Sequence, residues 1–217
     1  MLENNRLNAL MLRFPEDVQL IFKEMIRSYQ LGYVDYVYQA DDVSTQNRRI
    51  KNLAKNFRKM DYFYIMPLSQ DLAVGIANQW HYQAPYDVYN FRADSTRYSQ
   101  LISPDEREGR FFAVIRNGAL MGYFSIHTVG KVLTLDLGMK PTLTDQGKGK
   151  EFYQAIEGYL HEHYALVQLE LVVASFNQRA QSIFRTAGYK EKNYVRQTMN
   201  GYQYECIRME KKLDAIR

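Results

Sequence analysis

A single cysteine, Cys206, stands among 217 residues. No internal disulfide can form, which excludes a disulfide-stapled framework and favours a reducing compartment. Cys206 itself reads as a buried strand residue rather than a nucleophile. No apolar run approaches the roughly 18 residues that a membrane-spanning helix requires. The opening stretch, Met1–Leu12, has no basic region followed by an apolar one, so no secretory signal is read there. Internal repeats and low-complexity tracts are also missing. Neither sign of charge dominates: 28 Lys and Arg against 24 Asp and Glu leave a net charge of +4. That balance does not by itself call for nucleic acid, and it suits an anionic ligand. We therefore expect a soluble, cytoplasmic protein with no membrane or nucleic-acid partner.

Apolar residues make up 46% of the chain, and 18 tyrosines and 11 phenylalanines make it rich in aromatics. The length fits one large domain, or one domain with an extension. Residues 1–61 read as a helical extension, and 62–217 as the main domain. Pro15, followed by Glu16 and Asp17, opens a helix to about Tyr29 with Val18, Phe22, Met25 and Ile26 as its stripe. Gly32 is expected to follow that helix, and the segment Tyr33–Tyr38 to lie beyond it. A second helix starts near Ser44 or Thr45, with Ile50, Leu53, Ala54, Phe57 and Met60 at helical spacing. Its other faces carry Arg48, Arg49, Lys51, Lys55, Arg58 and Lys59. This run reads as a solvated face, with RNA or phosphate contact as the alternative. Two apolar stripes bury too little alone, so the extension is expected to pack on the rest of the chain or on a second copy, a homodimer.

From Tyr62 the order of elements changes. Tyr62–Met66 reads as a short strand, and Ser69 caps a helix to about Gln79. Trp80–Phe91 is a loop dense in aromatics. It is either a substrate wall, with Trp80, Tyr82 and Tyr86 as contacts, or a hydrophobic cluster under a long loop. Residues 92–110 are polar. Strands at Phe111–Ile115 and Leu120–His127 flank Asn117-Gly118, a hairpin signal, and Val132–Met139 follows as a third strand. Lys150–Tyr164 reads as a helix and Leu169–Ala174 as an interior strand. Asn177 caps a helix that stops at Gly188, and a final hairpin turns at Asn200-Gly201. This order predicts an α/β protein with a mixed sheet and helices on both faces.

The pivot is Leu133–Gly149, where a strand runs through a glycine turn into a helix. Backbone N–H groups at such a turn, with the positive end of the helix dipole behind them, can cradle phosphate. Gly147 and Gly149 permit positive φ and close approach, and Lys148 and Lys150 add charge. A plain glycine-rich connection is the alternative.

These residues resemble the GNAT-type N-acetyltransferase superfamily over about Tyr62–Leu213. The likeness rests on the element order and on Thr144-Asp145-Gln146-Gly147-Lys148-Gly149, set against a family pattern Gln/Arg-x-x-Gly-x-Gly/Ala. It rests also on Asn177-x-x-Ala180 followed by Phe184 and Ala187-Gly188-Tyr189. Thr144 departs from the long donor that the family carries at its position. The resemblance implies a mostly antiparallel twisted sheet splayed between two parallel strands, and acetyl-CoA as donor. The pyrophosphate would lie over the amides of Gln146–Lys150. Leu137, Gly138 and Met139 would pair with the pantetheine, with Gly138 at a bulge or close approach. Asn177 would offer its amide to the same arm, or serve only as a helix cap. Phe184 stands where many relatives place a proton-donating tyrosine, and it cannot donate; Tyr153 and Tyr189 are near it in sequence.

The base is open. Leu133 holds the position of a glutamate in some relatives. Asp136 is on the same strand with opposite parity, and so is expected to face away. His127 closes a strand and has a suitable intrinsic pKa. Glu170 is flanked by apolar residues. The implied activity is N-acetylation of a primary amine on a small molecule, peptide or protein. The alternative is a CoA-binding sensor or adaptor without turnover. No metal is expected.

Overall fold

The computed structural model describes residues 2–213, and the last four residues of the expected domain 62–217 lie outside them. The chain divides into two compact units. One runs to Tyr64 and takes in Ile115–Leu120; the other comprises Ile65–Val114 and the chain from Met121 onward.

The first unit is built from helices α1 (Leu2–Arg13), α2 (Glu16–Glu24), α3 (Arg27–Tyr38) and α4 (Val43–Phe57). Its core joins Leu10, Phe14, Val18, Phe22, Val37 and Phe57. The rings of Phe14, Phe22 and Phe57 meet at centroid distances of 5.2 to 6.3 Å. Two expectations are corrected here. The helix from Pro15 does not continue to Tyr29, because Met25 turns extended to bridge Ala119 and the Ile26 amide donates to the Gly118 carbonyl at 2.7 Å. Gly32 does not terminate a helix but lies inside α3, and the tyrosines after it are helical. With four helices and a shared core, the segment has more partners for its stripes than two isolated helices would. Asp42 caps α4 by accepting from the Thr45 amide at 2.8 Å.

In the second unit the chain runs β1 (Phe63–Pro67, whose first two residues fall in the other unit), α5 (Gln70–Gln79), α6 (Ser95–Ile102), α7 (Pro104–Arg107), β2 (Phe111–Arg116, whose last two residues fall in the other unit), β3 (Ala119–Val129, whose first two do) and β4 (Val132–Met139). It continues through α8 (Gly149–His163), β5 (Gln168–Ala174), α9 (Gln178–Thr186), β6 (Lys190–Met199) and β7 (Tyr202–Lys212). The seven strands form one sheet in the order β1-β2-β3-β4-β5-β7-β6. β3–β4, β5–β7 and β6–β7 pair antiparallel, and β4–β5 pair parallel. Both Asn-Gly turns have positive φ at the two central residues, 52° and 81° at Asn117-Gly118 and 53° and 80° at Asn200-Gly201. That backbone matches the twist of the flanking strands, which is why Asn-Gly marks a hairpin.

The β3–β4 register sorts side chains by face. Phe124, Ile126, Leu133, Leu135 and Leu137 share one face; Tyr123, Ser125, His127, Thr134, Asp136 and Gly138 share the other. α8 covers the first, with Tyr159 against Phe124 at 5.9 Å. No described helix is long and apolar enough to cross a membrane.

Candidate active site

The parallel pairing of β4 with β5 holds at Val132–Gln168, Leu133–Leu169 and Thr134–Glu170, and goes no further. Beyond it, Leu135–Met139 and Leu171–Ala174 share no ladder among the described residues. Their facing amides and carbonyls therefore border a cleft, where an extended chain of amide groups can pair with them. A cavity of about 430 Å³ opens there, lined by both strand ends, the start of α8 and one side of α9.

One end of the cavity is the glycine turn. Asp145 and Gly147 take φ of 59° and 73°, and α8 starts at Gly149. The Thr144 hydroxyl donates to the Pro141 carbonyl at 2.7 Å, and the Gln146 amide donates to the Thr142 carbonyl at 2.7 Å. These side chains fold the turn on itself, and Gln146 lies outside the cavity wall. Among the described residues, no backbone acceptor takes the N–H groups of Gln146–Lys150. They remain free donors at the positive end of α8, which fits an anion such as pyrophosphate. A Cβ at Gly147 would meet nothing within 4 Å, whereas one at Gly149 would come 2.4 Å from Cδ1 of Ile183. Gly149 thus serves the approach of α9 to α8, and Gly147 serves the left-handed turn. Lys148 and Lys150 line the cavity, and the Asp145 carboxylate is held by Arg179.

Asn177 and Phe184 both reach the wall. The Asn177 side-chain carbonyl accepts from the Ala180 amide at 3.2 Å, and its NH2 donates to the Tyr89 hydroxyl at 3.3 Å. It caps α9 and braces the aromatic loop. Phe184 packs against Tyr153 and Tyr189, each at 5.7 Å between centroids. Tyr153 also lines the wall, and its hydroxyl is bonded to Tyr189 and Glu157 at 3.1 Å each. Burial, and then Tyr189 beside it, pushes that hydroxyl far above the usual phenol range. A phenol so bonded is a structural donor.

Gly138 holds no bulge, since the β3–β4 register runs unbroken from Gly122–Met139 to Val129–Val132. The close approach there comes from its cross-strand neighbour: a Cβ on Gly138 would lie 2.5 Å from the Tyr123 ring.

The other end of the cavity is aromatic and charged. Asp136 does not face away. Its parity puts it on the face opposite Leu133, and it lines the cavity from there, while Leu135 and Leu137 line it from the Leu133 face. Arg97 of α6 reaches to 3.8 Å from the Asp136 carboxylate, and its guanidinium lies over the Phe91 ring at 4.8 Å. The Tyr82 hydroxyl donates to the Met139 carbonyl at 2.7 Å. The Tyr86 ring carries the Arg179 guanidinium at 3.8 Å. Burial, aided by the Asp136 charge, pushes the hydroxyls of Tyr82 and Tyr123 upward, so both stay protonated.

Trp80 stands one layer behind this wall. It is 7% exposed, packs on Tyr123 at 6.0 Å and does not line the cavity. His127 shares the face of Asp136 but pairs with Thr134, is exposed and lies outside the cavity. Glu170 is engaged by Lys192 and Arg208 at 3.6 and 3.7 Å. Arg97, Arg179, Tyr89 and Tyr123 escaped sequence reading. Only the aromatic density around Tyr89 was a signal, and the two arginines are ordinary charged residues until α6 and α9 are placed.

The model of the acetyltransferase (GNAT) family matches residues 76–189. Among solved structures, an acetyltransferase (GNAT family) from Bacillus anthracis is similar with a TM-score of 0.55 at 13% identity, covering 70% of this chain and 96% of that one. A spermidine N-acetyltransferase chimera from Vibrio cholerae and hSSAT is similar at 0.52 and 16%, covering 69% and 95%. The ribosomal-protein-S5-alanine acetyltransferase of Vibrio fischeri is similar at 0.52 and 12%, covering 72% and 96%. At these identities the likeness is one of fold. No curated protein matches the sequence.

Proposed function

Because the chain belongs to the acetyltransferase (GNAT) family, we propose that it is an acetyl-CoA-dependent N-acetyltransferase acting on a primary amine of a small molecule, peptide or protein. The observation that carries this reading is the splay of β4 from β5 beside a turn with free N–H donors. Acetyl-CoA, when bound, supplies an acetyl group on a thioester. The amides of Gln146–Lys150 hold its pyrophosphate, with Lys148 and Lys150 adding charge. The facing edges of Leu137, Gly138 and Met139 on one side and Leu171–Ala174 on the other align the pantetheine, the carbonyls of Met139 and Ala174 being already taken by Tyr82 and by Asn177 and Gln181. Phe184 and the ring of Tyr153 exclude water from the thioester end.

Asp136 is the group that holds the acceptor amine and takes up its proton. It lines the cavity and keeps 63% of its side chain exposed, so proton exchange with solvent is open. The amine nitrogen forms a bond to the acetyl carbon as the carbon–sulfur bond breaks; the amine proton passes to Asp136, and the thiolate draws a proton from water. The acyl-transfer unit is taken as residues 62–217, with 1–61 as an extension. The test is release of free CoA thiol from acetyl-CoA with a panel of amino acids, polyamines and peptides with free N-termini, with products weighed by mass spectrometry. A mass gain of one acetyl group on an amine supports the reading. No release above spontaneous hydrolysis with every amine would remove it.

A further inference from the structure

We infer that the acceptor carries a carboxylate next to its amine, as a free α-amino acid does. This deepens the reading above and rests on it. Arg97 and Asp136 line the same cavity and face each other at 3.8 Å. At that distance they attract without a hydrogen bond. Arg97 keeps 25% of its side chain exposed, with one flat side covered by Phe91. The ring contact uses the face of the guanidinium and none of its N–H donors.

The charged and polar groups around Arg97 are otherwise spoken for. Asp94 accepts from the amides of Thr96 and Arg97 itself as the cap of α6. Tyr82 donates to Met139, and the buried Tyr123 hydroxyl accepts one hydrogen bond from Arg97 itself. The other arginine of the cavity, Arg179, is paired with Asp145. With one donor on Tyr123, Arg97 is the cavity arginine that keeps N–H groups for a bidentate acid, and Asp136 is the anion beside it. A cation and an anion side by side are complementary to a ligand that carries an anion and a cation one carbon apart.

The same pair discriminates against other amines. A polyamine would bring further cations against Arg97. A peptide N-terminus would place a neutral amide where the guanidinium asks for an acid, and would leave a largely covered charge without its partner. The ammonium of the amino acid would sit on Asp136 and lose a proton to it, which Asp136 would pass to solvent, before the neutral amine attacks the thioester as described.

The experiment compares each common L-amino acid with its own carboxamide. Both share the amine and the side chain, and only the acid is neutralised. The readout is kcat/KM for CoA release, with calorimetric titration of the acid and the amide into the protein without acetyl-CoA. We expect at least one acid to be used about ten- to a hundred-fold better than its amide. Arg97→Met should abolish that preference by lowering the acid alone. Arg97→Lys, which keeps the charge but not the fork, should retain part of it, and serves if the Met variant does not fold. Amides or polyamines used as well as the acids by the wild type, or an Arg97→Met change that lowers acid and amide alike, would overturn the inference and leave acetyl transfer standing. If no amine is acetylated and acetyl-CoA does not bind, the proposed function falls. The titration then decides the site on its own, with heat from acids and not from amides supporting it, and equal or no heat from both overturning it.

Discussion

Trp80 shows how burial changes the role that a residue's chemistry suggests. An aromatic in a loop full of aromatics reads as a ligand contact, but the last turn of α5 carries this one into the core against Tyr123. Trp80→Ala should therefore act on stability, costing about 3–5 kcal/mol for an emptied core site. Chemical denaturation of the variant should show that loss, with the acceptor KM little changed. A shifted KM at unchanged stability would return Trp80 to the pocket. Asp136 teaches the converse: strand parity was legible, but the cavity opens where β4 leaves β5 and takes residues from both faces of β4. Arg97 and Arg179 were illegible for the same reason, since nothing local distinguishes them from the other cations.

At the scale of elements, the hairpins and the glycine turn were legible because each is set by local backbone chemistry. Asn-Gly needs two positive φ values, and Gly147 needs one. The break between α2 and α3 was not legible, because Met25 and Ile26 are turned extended by a pairing with Gly118 and Ala119, more than ninety positions along the chain. The α8–α9 contact gives a prediction of its own. Gly149→Ala would drive a methyl group to 2.4 Å from the tip of Ile183, so it should destabilise by about 1 kcal/mol. Ile183→Val removes that tip, and the double variant should recover most of the loss. Additive losses in the double-mutant cycle would mean that the two helices do not meet through this pair.

Across the whole molecule, the buried phenols set the response to alkali. Tyr82, Tyr123, Tyr153 and Tyr189 are each pushed above the usual phenol value, chiefly by burial. A raised folded-state pKa means that the folded protein keeps protons the unfolded chain would lose. The stability these groups contribute is complete below the unfolded phenol value of about 10, and it falls as pH rises beyond it. Unfolding free energy should therefore be insensitive to these four groups below about pH 9 and drop steeply above about pH 10, with phenolate absorbance from them appearing together with loss of fold. Phenolate absorbance from all eighteen tyrosines in a still-folded protein would contradict this.

The proposed function requires that the turn at Gln146–Lys150 receive the pyrophosphate of acetyl-CoA. Its most direct test is calorimetric titration of acetyl-CoA into the wild type and into Gly147→Glu. A side chain at Gly147 meets no protein atom within 4 Å, so the variant should fold, at a cost of about 1–2 kcal/mol for the left-handed backbone. Its carboxylate would occupy and repel the phosphate position. We predict saturable binding to the wild type and none to a folded Gly147→Glu. Absence of heat with the wild type up to millimolar acetyl-CoA, or undiminished binding by Gly147→Glu, would contradict the account.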